Sequence, residues 1–490
     1  MDMIAQFNAA RRVSTPIVAI STPDPAQTML TLQSEVMDAP CLSWDLVRGL
    51  IALNRPGEDA LAQALGNASR DRTINPVAFL TFAQNLPERT TVFMLQAHRF
   101  LQSEAVTQAI WLLRDLFKAN ERTLILLGPE FLLPPEIAQD VLLLEEPLPN
   151  EAALTQIIAD QYDAGQLNQP SMETKDAAVS ALLGLSAFSA EQATAISLEQ
   201  TGLNLRTLWE KKRAMIEQTR GLSVWRGGET FEQIGGVEMV KSFLRLVLRG
   251  RRPIRAIVFI DEIEKQFAGA TTDTSGVSQG YLGTLLSYMQ DQQATGVIFI
   301  GPPGSAKSMV AKAAGAEVNI PTIALDLNGL KSQFVGSSET ALRTALKVIT
   351  AVSQGRSLWI VTCNSIGVLP PELRRRFKLG TFFFDLPSSE ERSLIWTLYK
   401  KQYTLNSPVP ADEGWTGAEI AQCAELAWQL GISLIEASAF IVPIAISAAD
   451  QIQRLRDDAS GKFLSASYPG VYRQERPSPV NSGRRVTIRP

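Results

Sequence analysis

Residues 297–308 read VIFIGPPGSAKS and carry the strongest structural signal in this chain. The four apolar residues predict a buried strand, and a helical run begins after residue 308, so a tight loop joins the two. Such a loop turns backbone N–H groups towards a phosphate at the positive end of the helix dipole. We therefore predict a nucleotide site in which Lys307 reaches the β- and γ-phosphates and Ser308 ligates Mg²⁺. The loop residues expected around the phosphates are Gly301, Pro302, Pro303, Gly304, Ser305 and Ala306.

Position 306 departs from the usual form of this loop, which has glycine immediately before the lysine. The Cβ of Ala306 is expected to crowd the loop and to weaken phosphate binding. Because the strand, loop and helix signals agree, we favour nucleotide binding over a purely structural turn.

The composition narrows the classes of protein that this chain can represent. Its 490 residues allow about three domains at roughly 150 residues each, and its net charge of −4 excludes a generally basic nucleic-acid coat. Three distant cysteines and one histidine, His98, provide neither a disulfide framework nor a histidine-rich metal centre. No apolar run reaches the ~18 residues of a membrane span, and residues 1–20 lack a signal-peptide pattern. We expect a cytoplasmic protein.

A second chemical signal lies at residues 256–262, which read AIVFIDE. A buried strand here ends in two carboxylates, of which Asp261 is expected to hold Mg²⁺ and Glu262 to polarise the attacking water. An acidic pair at a strand end is weak evidence alone, because many such pairs are solvated turns. Beside a phosphate loop in the same module it becomes strong evidence.

Together these residues resemble those of the AAA+ ATPases, P-loop proteins that remodel and unfold other proteins. The resemblance covers about residues 231–465, and within the AAA+ class it is closest to a little-characterised family encoded in cyanobacteria and chloroplast genomes. Five further segments agree with it: FEQIGG at 231–236, KSQFVGSSE at 331–339, WIVTCN at 359–364, LRRRF at 373–377 and TGAE at 416–419.

The resemblance implies a role for each of these segments in a ring oligomer, typically a hexamer with chaperone-like remodelling activity, that uses ATP and Mg²⁺. Asn364 would orient the attacking water, and Arg375 or Arg376 would stabilise charge in a neighbouring subunit's site. Residues implied to contact the nucleotide are Ile234, Gly235, Gly417 and Ala418. The first pore loop would comprise Phe334, Val335 and Gly336, although packing of Phe334 in the core is an equally weighted alternative.

One departure from the family pattern is large, because the Asp261 strand precedes the phosphate loop here instead of following it. Residues from about 254 to 293, a strand with its helix, are transposed. Each strand–helix unit of a parallel sheet begins and ends at the same edge, so units can be reconnected without moving strands. We predict that the strand at 257–260 lies in one parallel sheet with 297–300, separated from it by the strand at 358–362. Both a working and a decayed site remain open.

The pattern of apolar runs predicts an α/β protein with a P-loop parallel-sheet core and a second, related module at the N-terminus. The first module lacks the chemical residues: residues 21–27 have no glycine or lysine, Gln96 and Ala97 stand where Asp–Glu would be, and residues 137–140 contain no arginine. The sequence LPPE occurs both at 133–136 and at 369–372, and this repeat favours two copies of one module. The predicted domains are a degenerate AAA-like domain at 1–150, a helical linker at 151–230, the ATPase core at 231–387, a helical lid at 388–467 and a flexible basic tail at 468–490.

Three functional hypotheses follow. The leading one is a Mg²⁺-dependent ATPase ring that remodels protein partners. The second is a nucleotide-binding scaffold, motivated by Ala306 and the transposed strand. The third is a nucleic-acid motor or loader, motivated by the basic tail with arginines between 473 and 489. We interpret this stretch and a second basic stretch at 241–255 as a flexible tail and a solvated helix face in preference to DNA contacts.

Overall fold

The chain folds around two β-sheets, one in each of its two units. The computed structural model describes residues 3–36, 38–66, 69–267, 277–330, 337–365 and 371–474. The first unit contains residues 1–161 and 185–192, and the second contains residues 162–184 and 193–490. The predicted pore loop of Phe334, Val335 and Gly336 lies outside the described residues, as does the end of the chain after Gln474.

The first unit has a six-stranded sheet in the order β3-β2-β4-β5-β1-β6. All neighbouring pairs are parallel except the β2–β3 hairpin. The strands are β1 Ile17–Ser21, β2 Cys41–Asp45, β3 Gly49–Ala52, β4 Thr91–Met94, β5 Thr123–Gly128 and β6 Leu142–Glu145. Its helices are α1 Met3–Arg12, α2 Pro25–Ser34, α3 Arg55–Leu65, α4 Pro76–Ala83 and α5 Glu104–Ala119, and α6 Glu151–Ala164 continues into the second unit.

The segment between the two sheets is mainly helical. It contains α7 Met172–Leu182, α8 Ala187–Ser197, the short strands β7 Leu198–Glu199 and β8 Gly202–Leu203, and α9 Leu205–Glu217. Residues 187–192 of α8 belong to the first unit, and the rest of α8 belongs to the second. The next strand, β9 Leu222–Val224, falls inside the predicted linker but pairs with the core sheet as its antiparallel edge. The core sheet therefore begins at β9, before the predicted boundary at residue 231.

The core of the second unit is a seven-stranded sheet in the order β15-β14-β11-β13-β10-β12-β9. Its strands after β9 are β10 Ala256–Ile260, β11 Thr295–Ile300, β12 Thr322–Leu325, β13 Ser357–Cys363, β14 Thr381–Phe383 and β15 Leu464–Ser465. Its helices are α10 Glu238–Leu248, α11 Ile263–Phe267, α12 Val277–Asp291, α13 Lys307–Ala313, α14 Leu327–Leu330, α15 Ser337–Ser353 and α16 Pro371–Arg374. This confirms the predicted α/β class and its parallel core.

The predicted strand arrangement is confirmed. β13 pairs in parallel with both β10 and β11 and therefore separates them. Read from β3 and from β9, the two sheets have the same spatial order, with β4 equivalent to β10, β5 to β13 and β1 to β11. In the first unit β4 follows β1 along the chain. In the second unit the equivalent of β4, which is β10, precedes the equivalent of β1, which is β11. The transposition has changed the connections and kept the sheet.

The lid helices form their own small hydrophobic core around Trp396, Trp415 and Ile420. The helices are α17 Ser389–Tyr403, α18 Gly417–Leu430, α19 Leu434–Ser438 and α20 Ile444–Ser447. Capping boxes start two of these helices, Ser388 with Glu391 and Thr416 with Glu419. These caps satisfy N–H groups that would otherwise lack partners at the helix starts.

The last described segment belongs to the core and not to the lid or to a free tail. From α21 Ala449–Ala459, the side chain of Ala459 packs in the main core cluster, as does Tyr472. β15 pairs with the edge of β14. A tail starting at Tyr468 is therefore wrong for residues 468–474. Among the described residues, no helix is both long enough and apolar enough to cross a bilayer.

Candidate nucleotide site

A cavity of about 500 Å³ opens at the carboxyl edge of the second unit's sheet, a volume typical of small-ligand sites. It collects residues from the phosphate loop, two strand ends, the segment before α10, and the lid. Predicted site residues that line it are Ile234, Gly235, Asp261, Glu262, Pro303, Gly304, Ser305, Ala306, Lys307, Ser308, Asn364, Gly417 and Ala418. Segments far apart in sequence thus meet where parallel sheets bind ligands.

The phosphate loop runs from the end of β11 to the start of α13 and uses two left-handed residues. Gly304 has φ 77°, and a Cβ at this position would lie 2.8 Å from Thr416 Oγ1, so glycine is required. Ala306 has φ 66° and precedes the first helical residue, Lys307. Alanine therefore adopts the backbone conformation that glycine adopts more easily, and the turn keeps the expected shape.

Lys307 is buried, and its ammonium is held by the loop itself. The Nζ atom donates to the carbonyl oxygens of Pro302 at 2.7 Å and Gly301 at 2.8 Å. Burial lowers the pKa of Lys307 to about 8. A phosphate in the cavity would offer this ammonium a charged acceptor in place of neutral carbonyls. The residues present therefore fit a phosphate group.

Asp261 forms the centre of an oxygen cluster that fits a magnesium ion. Its Oδ1 accepts hydrogen bonds from Ser308 Oγ at 2.7 Å and from Thr362 Oγ1 at 2.5 Å. Mg²⁺ prefers oxygen ligands and uses one or two carboxylates together with substrate phosphates. The transposed strand thus brings Asp261 to the serine that follows Lys307, as a shared site requires.

Glu262 has both carboxylate oxygens engaged. Oε1 accepts from Asn364 Nδ2 at 3.1 Å, and Oε2 lies 2.6 Å from Lys265 Nζ. Next to this pair, the buried Glu264 of α11 accepts a hydrogen bond at Oε1 from the backbone N of Asn364 at 2.9 Å. The glutamate proposed to polarise water and the asparagine proposed to orient it are therefore in direct contact.

The arginines at 375 and 376 do not line the cavity of their own chain. Arg376 donates to Gln290 Oε1 at 2.7 Å, and Arg375 is exposed. Gly301 and Pro302 also lie outside the lining and act through their carbonyl contacts to Lys307.

Several residues at the cavity were not found by sequence reasoning. Thr362 lies two positions before Asn364 at the end of a buried strand, and this position beside the Asp261 strand was an available signal. The lid residues carry no motif that would have indicated them. These lid residues are Ile395, Leu398, Tyr399, Ala421, Gln422 and Glu425.

The equivalent edge of the first unit is occupied by its own side chains. Glu146 Oε2 accepts from the buried Thr22 and Thr28 hydroxyls at 2.5 Å and 2.6 Å, at the end of the β1 strand. The alignment of Gln96 and Ala97 with Asp261 and Glu262 was wrong by one residue. Gln96, with φ 51°, corresponds to Glu262, with φ 45°, because each is the second residue after its strand.

His98 in the first unit is partly buried. Its Nδ1 atom is buried without a hydrogen-bond partner, and burial lowers the pKa of the ring. Among the residues that the structure describes, no group of three or more histidine, cysteine, aspartate or glutamate side chains could hold a metal ion.

Comparison with known protein families gives one match in each of the two units. Residues 3–146 match the family described as "SpoVK-like AAA ATPase, N-terminal domain", and residues 297–354 match "ATPase family associated with various cellular activities (AAA)". The second match begins at β11, so the transposed β10 lies outside it.

A mostly parallel sheet, a phosphate loop and an acidic strand end are features of AAA+ ATPases, and both matches are to AAA ATPase families. These matches support nucleotide binding by the second unit. Among its relatives are proteins named "Uncharacterized AAA domain-containing protein ycf46". The protein from Guillardia theta is 22% identical over 534 aligned residues, covering 95% of this chain and 97% of the relative. That from Trieres chinensis is 24% identical over 468 residues, covering 83% and 84%.

Proposed function

We propose that the second unit hydrolyses ATP with Mg²⁺, and that the chain works as a ring oligomer that remodels protein partners. The observation that carries this proposal is the contact between Ser308 and Asp261 at 2.7 Å, in the same cavity as Glu262 and Asn364. In a site that had lost its function, we would not expect these four residues to remain together after the strands were reconnected.

Each side chain has a proposed task. Lys307 binds the phosphates and leaves its carbonyl contacts to do so. Mg²⁺, when bound, neutralises phosphate charge, and Asp261 and Ser308 would hold it. Glu262 accepts a proton from water, and Asn364, which donates to the Glu262 carboxylate, orients that water. Arg375 or Arg376 stabilises charge in a neighbouring subunit's site, and Phe334 grips the partner.

A nucleotide-binding scaffold is the second candidate. It is favoured by the engagement of both Glu262 oxygens and by the contact of Lys307 with its own loop. In that state the site could hold nucleotide without activating water.

The deciding experiment measures phosphate release and mass in solution on the same full-length sample, with and without ATP. Glu262→Gln keeps the shape but removes the proton acceptor, so turnover should fall by about 10²- to 10⁴-fold while ATP binding remains. Glu413→Gln changes an exposed glutamate outside the cavity and serves as the control. Wild-type protein that binds ATP but turns it over no faster than Glu262→Gln would support the scaffold instead.

Mixtures of variants can test whether Arg375 and Arg376 act in a neighbouring subunit's site. Arg375→Ala with Arg376→Ala should keep ATP binding and lose hydrolysis by about 10³-fold or more. Mixing this double variant with Glu262→Gln should restore part of the turnover, since one chain supplies the glutamate and the other the arginines. A strictly monomeric sample with unchanged turnover would contradict the ring.

A further inference from the structure

Three loops meet at the amino edge of the second unit's sheet, opposite the nucleotide cavity. They are residues 249–255 before β10, residues 292–294 before β11 and residues 354–356 before β13. Together they contribute to a second cavity of about 240 Å³. Two contacts join the loops: Arg255 N donates to Arg356 O at 2.8 Å, and Arg255 Nη1 donates to Gln354 Oε1 at 2.8 Å.

These loops, which we name the amino-edge patch, carry five arginines and no acidic residue. The arginines are Arg249, Arg251, Arg252, Arg255 and Arg356. The flanking acidic residue Asp291 ends α12. A local charge of +5 in a chain of net charge −4 is a strong asymmetry. Four of these arginines belong to the basic stretch at 241–255, and only the fold brings Arg356, about a hundred residues further along the chain, beside them.

The arginines of the patch differ in how far they take part in the fold. Arg251 and Arg252 are exposed and form no ion pair with any described residue. Arg249 donates to the backbone carbonyl of Glu317 at 3.3 Å. Arg245, from the same basic stretch, differs because its Nε lies 3.1 Å from Glu317 Oε2. The interpretation of this stretch as a helix face thus applies to Arg245 and not to the loop arginines.

The chemistry of the patch favours phosphate over a protein partner. A guanidinium matches the geometry of phosphate oxygens, and glutamine side chains, present in two of the loops, also donate to phosphates. Protein interfaces usually centre on aromatic or other apolar anchors, and the three loops contain no aromatic residue. Loops of this kind provide no helix or strand to read bases in a groove, so contacts would be to the backbone.

We propose that the amino-edge patch binds the phosphate backbone of nucleic acid without sequence preference. The binding is independent of ATP, because the patch lies at the opposite edge of the sheet from the nucleotide cavity. Nucleic-acid binding by the patch can therefore be disproved without affecting the proposed hydrolysis, and the reverse is also true.

The test is fluorescence anisotropy of the full chain with a labelled 30-base-pair DNA duplex, without nucleotide, between 50 and 200 mM KCl (roughly the range over which phosphate contacts lose their affinity). Wild-type log affinity should fall linearly with log salt. Arg251→Glu with Arg252→Glu should lower the affinity at least about tenfold at the lowest salt and reduce the salt slope by about 2. Arg251→Gln with Arg252→Gln, which adds no negative charge, should show the same direction.

The matched control is Arg206→Glu with Lys211→Glu, which makes the same charge change on exposed positions of α9 and should leave binding intact. A chain ending at Gln474 should also keep its binding. Four results would overturn the proposal: no wild-type binding at the lowest salt, equal losses in the control pair, loss only on removal of residues 475–490, or arginine-dependent binding of poly-glutamate but not of DNA.

Discussion

At the scale of single residues, two non-glycine residues of the site have left-handed backbones, Glu262 at φ 45° and Ala306 at φ 66°. Strained residues often mark function, yet here the first unit provides a comparison. Gln96 occupies the position of Glu262 at φ 51° in a unit without the catalytic chemistry. The left-handed turn after this strand therefore belongs to the module's fold, and the role proposed for Glu262 uses a conformation that the fold already imposes.

The buried side chain of Lys212 makes the free energy of unfolding depend on pH. It is 1% exposed, its Nζ donates to Ser180 O at 2.7 Å, and burial lowers its pKa to about 7. The unfolded chain keeps this proton up to about pH 10.5, so it binds more protons than the folded state between pH 7 and 10.5. The free energy of unfolding should thus rise with pH across this window, by up to about 1.4 kcal/mol per unit from this group.

Lys212→Met should remove that rise, as measured by urea unfolding at several pH values. Lys211→Met, on the exposed face of the same helix, should keep it. A slope that is unchanged in Lys212→Met would show that the lysine is solvated in the folded protein.

At the scale of elements, the segment after α21 holds the edge of the core sheet. Tyr472 is 5% exposed, its ring lies 4.5 Å from that of Phe383, and its hydroxyl donates to Asp385 Oδ2 at 2.6 Å. Arg456 Nε also donates to Asp385, at 2.8 Å. Burial and the neighbouring Asp385 raise the pKa of Tyr472, so the phenol remains a donor.

Tyr472→Phe should lower the free energy of unfolding by about 1.5–3 kcal/mol, because it leaves a carboxylate without one donor. Tyr472→Ala should cost about 3–5 kcal/mol through lost packing as well. Denaturant unfolding measures both, with Tyr468→Phe as the control on a half-exposed tyrosine of the same segment. Equal, small effects of all three changes would mean that the segment is not held against the sheet.

At the scale of the whole molecule, the transposition predicts that the chain can be reconnected. The three amino-edge loops lie together, so residues 254–293 could be cut out and inserted after Gln354, with short glycine–serine joints. This restores the family order without moving a strand. We expect a folded protein that binds ATP, with an unfolding free energy within about 2 kcal/mol of the parent, because loop-closure cost changes slowly with length.

Circular dichroism, urea unfolding and ATP binding check this reconnected chain. A version with residues 254–293 inserted after Gly128 instead, outside the second unit, is the control that should lose the site. An insoluble or nucleotide-free reconnected chain would mean that the present connections are needed for folding.

Local sequence was sufficient to predict most residues that line the candidate nucleotide site. The phosphate loop, the Asp261–Glu262 pair and the helix caps depend on residue types at short spacing, and backbone preferences and hydrogen bonds act over the same short range. The parallel order of β11, β13 and β10 could also be inferred, because strand–helix units return to the same sheet edge.

Only the tertiary structure decided which distant residues meet. Thr362 reaches Asp261 across 101 positions, and Tyr472 reaches Asp385 across 87. The arginine of the α15–β13 loop joins the arginines before β10 in the same way, and the last strand returns to β14 instead of forming a tail. These contacts carry no local signal, because each is the small net result of packing many side chains at once. Such long-range packing is set by the complete sheet and not by any short segment of sequence.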